Sequence, residues 1–165
     1  MIIRDELPQD AADIGKIIDK AFKSAEHSSG TEARIVERLR AADALTISLV
    51  AIHSDRIVGH LAASPVTIGA AQHWYGLGPV AVRPDYQRSG IGSALINKAL
   101  DRLRADGAAG CVVLGDPTYY SRFGFKHDPE LHYADVPPPY FQVVNFTATD
   151  RSGAVQYHPA FDEPS

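Results

Sequence analysis

The chain has little cysteine, no long apolar run and no excess of positive charge. Its 165 residues include one cysteine, Cys111, so no internal disulfide can form, and a lone thiol suits a reducing compartment. No apolar stretch approaches the length of a membrane span. The opening residues, Met1-Ile2-Ile3-Arg4-Asp5, lack the charged-then-apolar layout of a signal peptide. A cytoplasmic protein with no membrane partner is the expectation. The formal net charge of -4 makes nucleic acid a poor partner as well. His27, His53, His60, His73, His127, His132 and His158 form no zinc-type pair such as His-Glu-x-x-His, so no metal is expected. What remains is an ordinary globular composition, 45% hydrophobic and 22% charged, at a length suited to one domain.

Periodicity then places the elements. Met1 to Arg4 reads as a first strand. Asp10 caps a helix whose apolar stripe is Ile14, Ile17, Ile18, Ala21 and Phe22. Ser29-Gly30-Thr31-Glu32 has the form of a capping box before Ile35, Val36 and Leu39. Leu45, Ile47 and Leu49 alternate with polar residues as a strand does, and Ser54-Asp55 turns it into a β-rich stretch through Ile68. A fourth strand is expected from Tyr75 to Val82. Ile91, Leu95, Ile96, Ala99, Leu100 and Leu103 then stripe a long helix that stops near Gly107. Cys111 to Leu114 reads as a buried strand, and Asp116-Pro117 as the cap and first turn of a short helix. Phe125 to His127 and Phe141 to Thr147 are two further strands. Residues 1–147 form the expected domain, and residues 148–165 a tail that wraps the surface or stays loose. The order predicts an α+β fold, a mixed central sheet of about seven strands with helices on both faces. It lacks the regular alternation of a doubly wound nucleotide fold.

Between the fourth strand and the long helix stands Gln87-Arg88-Ser89-Gly90-Ile91-Gly92. A glycine-rich turn that opens a helix gathers free N–H groups and the positive end of the helix dipole at one point, a setting for phosphate. Arg83 and Arg88 lie where they can add charge. A P-loop would need a lysine after Gly92, where Ser93 and Ala94 stand. A dinucleotide fingerprint would need a third glycine and a place after the first strand.

This turn resembles the pyrophosphate motif of the GNAT superfamily of N-acetyltransferases, Gln/Arg-x-x-Gly-x-Gly/Ala. The segment Leu114-Gly115-Asp116-Pro117-Thr118-Tyr119-Tyr120-Ser121-Arg122-Phe123-Gly124-Phe125 is similar to the branch labelled YhbS-like. Tyr120 stands four residues before Gly124, as the family's tyrosine stands before its Gly-Phe. The resemblance implies acetyl transfer from acetyl-CoA to a primary amine, of a small molecule, peptide or protein, by direct attack in a ternary complex. It also implies that the fourth and fifth strands splay and admit the pantetheine arm. Val80 and Val82 would then pair with its amides, and an N–H near Val80 or Ala81 would stabilise the oxyanion. Gln87, Arg88, Ser89, Gly90, Ile91, Gly92 and Ser93 would take the pyrophosphate. Gly78 and Pro79 suit a bulge that frees backbone groups from the sheet. Tyr120 would donate a proton to the departing thiolate. Homodimers through the C-terminal strands occur in this family, so one is possible here.

One feature of the family is missing. Many relatives place a glutamate on the fourth strand as base, yet Trp74 to Arg83 contains no acidic residue. Glu26, Glu32, His60, His73 and Asp116 are candidates by type alone. A lysine amine of pKa about 10.4 is neutral about once in 2,500 at pH 7, a handicap near 4.6 kcal/mol, whereas an α-amine of pKa about 8 faces about 1.4 kcal/mol. A chain without a placed base is expected to favour the less basic acceptor. The competing class is a binding module that holds acyl-CoA without turnover.

Overall fold

The computed structural model describes residues 1–23, 30–147 and 151–162. Its elements are β1 (Ile2–Asp5), α1 (Ala11–Phe22), α2 (Glu32–Ala41), β2 (Ile47–His53), β3 (Arg56–Ile68), β4 (Ala71–Val82), α3 (Ile91–Ala105), β5 (Gly110–Leu114), α4 (Pro117–Tyr120), β6 (Leu131–His132), β7 (Phe141–Asn145) and β8 (Gly153–Tyr157). The strands form one eight-stranded sheet in the order β1-β2-β3-β4-β5-β7, with β8 on β3 and β6 on β8. The β4–β5 and β6–β8 pairs are parallel and the rest antiparallel.

Helical stripes and strand alternation decide which face each element covers. On one face α3 lays Ile91, Leu95, Ile96, Ala99, Leu100 and Leu103 against Leu49, Leu61, Leu77, Cys111 and Val113. Each such Leu or Ile contributes about 1.5–3 kcal/mol by leaving water. On the other face α1 buries Ile14, Ile17 and Ile18 against Val50, Ala62 and Ala81. Farther along that face Val66, Trp74, Val112, Phe141 and Val143 pack with Tyr133 and Tyr157.

Three elements and one helix cap differ from the sequence expectation: the short β6 is an addition, and Asp10 makes no cap bond to α1, its carboxylate accepting instead from Arg4 and the Leu7 N–H. Phe125 to His127 contributes only a single bridge, Lys126 to Val143, because Gly124 in the left-handed region turns the chain just before it. The segment after Arg151, expected as a tail, enters the sheet as β8. The cause is the length of β3: its Val66–Ile68 end overhangs the shorter β2, and β8 closes that open edge at Tyr157, Gln156 and Val155. Arg151 anchors the entry, pairing with Asp128 at 2.5 Å and standing 5.5 Å from the Trp74 ring. The proposed capping box before α2 begins at Ser29, which lies outside the described residues.

Candidate active site

The parallel ladder between β4 and β5 runs from Trp74–Gly110 to Leu77–Val113 and stops. Beyond it β4 continues on β3 alone, pairing Val80 with Leu61, Ala81 with His60 and Val82 with Gly59. The register shifts at Gly78–Pro79, which places the extra residue of a bulge where the two strands part. Past this bulge the strand's free edge can be identified. The Arg83 N–H donates to the Val58 carbonyl at 2.8 Å, so Ala81, of the same parity, also turns its amide towards β3. Val80 and Val82 therefore aim their N–H and C=O groups into the gap. Ala81 is buried, while Val80 and Val82 are part-exposed.

The glycine turn sits at the mouth of this gap. The Gln87 side chain donates to the Val82 carbonyl at 3.1 Å, and the Ser89 hydroxyl donates to the Tyr86 carbonyl. Arg88 and Gly90 both have positive φ, 64° and 89°, a conformation in which Gly90 escapes the penalty of a side chain. The first intrahelical bond of α3 runs from the Ala94 N–H to the Gly90 carbonyl. The amides of Ile91, Gly92 and Ser93 are left without helical partners, and the first turn holds no acidic residue. A Cβ at Gly92 would lie 3.0 Å from the Tyr119 hydroxyl. Lys20, Lys23 and Arg83 line a recess nearby.

Tyr120 lies on the other bank. Asp116 caps α4 by accepting from the Thr118 N–H at 2.9 Å, which orients the short helix at the end of β5. The Tyr120 ring packs on Gly115 so closely that a Cβ there would stand 2.4 Å from it. Edge contacts with Tyr119 at 5.0 Å and Phe125 at 5.9 Å hold it in place. Burial, with lesser contributions from Tyr119 and Cys111, pushes the Tyr120 phenol up to about 12. It therefore keeps its proton at neutral pH. Burial also raises the Cys111 thiol well above its ordinary range, which removes it as a nucleophile.

The candidate bases are dispersed. His60 is fully buried and its ring leans towards β2, with Nε2 2.8 Å from Ser48 Oγ. Ser48 donates to Glu6, and Arg40 grips the Glu6 carboxylate at 2.8 and 2.9 Å. Burial pushes His60 down to about 4, so the ring is neutral. Burial alone would raise Glu6, but Arg40 and Ser48 hold it below the usual carboxylate range. Asp116 serves its cap, His73 is exposed near the start of β4, and Glu32 opens α2. Glu26 lies outside the described residues. Among the described residues no three metal-ligating side chains converge, and no helix is long and apolar enough to cross a membrane. Two polar groups near the gap that the sequence did not single out are the hydroxyls of Ser64 and Tyr157, buried and without a partner. No local pattern marks them, since pairing of the distant β8 with β3 sets Tyr157 opposite Val66, two residues along from Ser64.

Comparison with known proteins agrees with this geometry. Residues 12–125 match the model of the acetyltransferase (GNAT) family. The uncharacterized N-acetyltransferase YhbS of Escherichia coli K12 is 34% identical over 98% of this chain and 99% of its own length. A GNAT family acetyltransferase from Brucella melitensis, solved in complex with acetyl-CoA, is 49% identical with a TM-score of 0.88, covering 98% of this chain and 97% of that one. The crystal structure of Escherichia coli YhbS in complex with CoA superposes with a TM-score of 0.89 at 34% identity, over 98% and 92% of the two chains.

Proposed function

Since the chain belongs to the GNAT acetyltransferase family, we propose that it transfers an acetyl group from acetyl-CoA to a primary amine by direct attack in a ternary complex. The observation that carries this reading is the parting of β4 from β5 after Leu77–Val113, with the open amides of α3 at the same end. An extended pantetheine arm fits such an unpaired edge as an added strand would. Val80 and Val82 would bond its amides. Gly90, Ile91, Gly92 and Ser93 would meet the pyrophosphate, helped by Gln87, Arg88 and Ser89. The Brucella melitensis and Escherichia coli relatives were solved with acetyl-CoA and CoA, which supports a cosubstrate of this kind.

The chain's own residues then divide the work. An amide at Val80 or Ala81 stabilises the oxyanion formed when the amine nitrogen attacks the thioester carbonyl; the parity of β4 favours Val80. Tyr120 donates to the sulfur as the C–S bond breaks, its phenol being held in the protonated form. The proton lost by the amine passes to solvent.

Thiol release from acetyl-CoA across a panel of amines and peptides tests the reading, with Tyr120→Phe as control and cofactor binding followed by calorimetry. Acceptor-dependent release that collapses in the variant is expected. Tight cofactor binding with no release from any acceptor would favour the binding module, to which the carboxylate-free β4 lends some support.

A further inference from the structure

We propose that the hydroxyls of Tyr157 and Ser64 hold the acceptor amine, on the face of the sheet opposite α3. The inference rests on the acetyl-transfer reading and assigns that site its acceptor side.

Ser64 is fully buried, and neither its Oγ nor Tyr157 Oη has a hydrogen-bond partner. Buried hydroxyls left unpaired cost a fold stability, and both oxygens are free to bond a ligand. Both stand at one rung. Ser64 pairs with Gly76, immediately before the last β4–β5 pair, Leu77–Val113. Tyr157, on β8, reaches across β3 and lays its ring on Gly76, where a Cβ would be 2.6 Å from Cε2. Tyr133 at 4.9 Å and Phe161 at 5.0 Å fix the ring edge-on.

The two tyrosines approach the gap from opposite faces. Tyr120 packs with the α3-side cluster, Tyr157 with Val66, Trp74 and Val112 on the other side. Tyr157 nonetheless reaches the rung next to the gap, because its ring lies on Gly76, which pairs with Val112 of β5. A cofactor anchored at the α3 N-terminus enters from the α3 side, which leaves the opposite side for the nucleophile. There two hydroxyl oxygens can accept the amine's N–H bonds and leave its lone pair aimed at the thioester carbon. Burial keeps the Tyr157 phenol protonated, so this pair orients an amine and does not deprotonate it. Its fitting ligand is a weakly basic primary amine already neutral in water. The N–C bond forms by addition to the thioester carbon, the C–S bond of the resulting intermediate breaks, the sulfur gains a proton and the nitrogen loses one, so no further reactant is needed.

Hydroxylamine, small and neutral near pH 7, is the probe nucleophile, and acetohydroxamate formed from acetyl-CoA by the full chain is the readout. Tyr157→Phe keeps the ring on Gly76 and is expected to lower kcat/KM for hydroxylamine at least about tenfold. The KM for acetyl-CoA should stay within about twofold, and Tm should hold or rise because an unpaired hydroxyl is gone. Ser64→Ala should act in the same direction. Unchanged acetohydroxamate formation in Tyr157→Phe, with cofactor bound, overturns the station and leaves acetyl transfer standing. A fall in Tm that accompanies the lost activity makes the hydroxyl a packing group and also overturns it. Failure of the wild type to bind cofactor or to form acetohydroxamate overturns the acetyl-transfer reading, and the station with it.

Discussion

Two polar clusters lie on the same face of the sheet, and they are built in opposite ways. At the β1–β2 corner Arg40, Glu6, Ser48 and His60 bond one another in sequence, leaving only His60 Nδ1 without a partner. At the β4–β5 gap the hydroxyls of Ser64 and Tyr157 are equally buried and bond nothing. The corner joins α2 and the β1 exit to the sheet, so its bonds stabilise the fold. The gap carries its polar atoms at a cost to the fold. Partnering, and not burial or residue type, is what distinguishes the corner from the gap. His60, a base candidate by type, belongs to the corner.

The largest test is to change the other bank of the gap and watch only activity move. Tyr120→Phe is expected to lower kcat about 1,000-fold, about 4 kcal/mol, with cofactor affinity and Tm unchanged. The corner should do the reverse. Between pH 6.5 and about 4 the unfolded chain takes up a proton at His60 that the folded chain refuses, so stability falls as the solution is acidified. Denaturant titrations across that window should show a loss of about 3 kcal/mol from His60, flattened in His60→Gln. Glu6, with its pKa held low, stabilises the fold above its ordinary range and adds to the loss only at lower pH. A kcat/KM profile with an enzyme group near pH 6–7 that disappears in His60→Gln would break the comparison, because the corner would then be catalytic.

Smaller effects sharpen it. Gly92→Ala brings a Cβ to 3.0 Å from the Tyr119 hydroxyl and into the expected phosphate path, so the Kd for CoA should rise about tenfold by calorimetry. Tyr119→Phe should recover part of that loss if crowding is its main cause. Asp116→Ala removes the α4 cap and should cost about 1 kcal/mol, lowering Tm by about 2–4 °C, with a modest fall in kcat as Tyr120 loses its support.

Local chemistry was legible in the sequence and long-range pairing was not. The glycine turn, the stripe of α3, the Gly78–Pro79 bulge and the Asp116-Pro117 cap each follow from neighbouring residues. The gap itself followed from family resemblance, because nothing in Leu77 or Val113 says where a ladder ends. The capture of β8 by the overhang of β3 depends on comparing two distant strand lengths, and Tyr157 reaches Gly76 only through it. His60 is a base candidate by type alone in the sequence, and only the pairing of β2 with β3 sets Ser48, and through it Glu6, beside the ring.

The contact between Tyr157 and Gly76 constrains how such a chain can diverge. Any other residue at 76 evicts the ring, and a small residue at 157 leaves bare backbone beneath an empty space. Neither position can drift alone, so a lineage shifting to bulkier acceptors would have to exchange both in concert or remodel the loops around them.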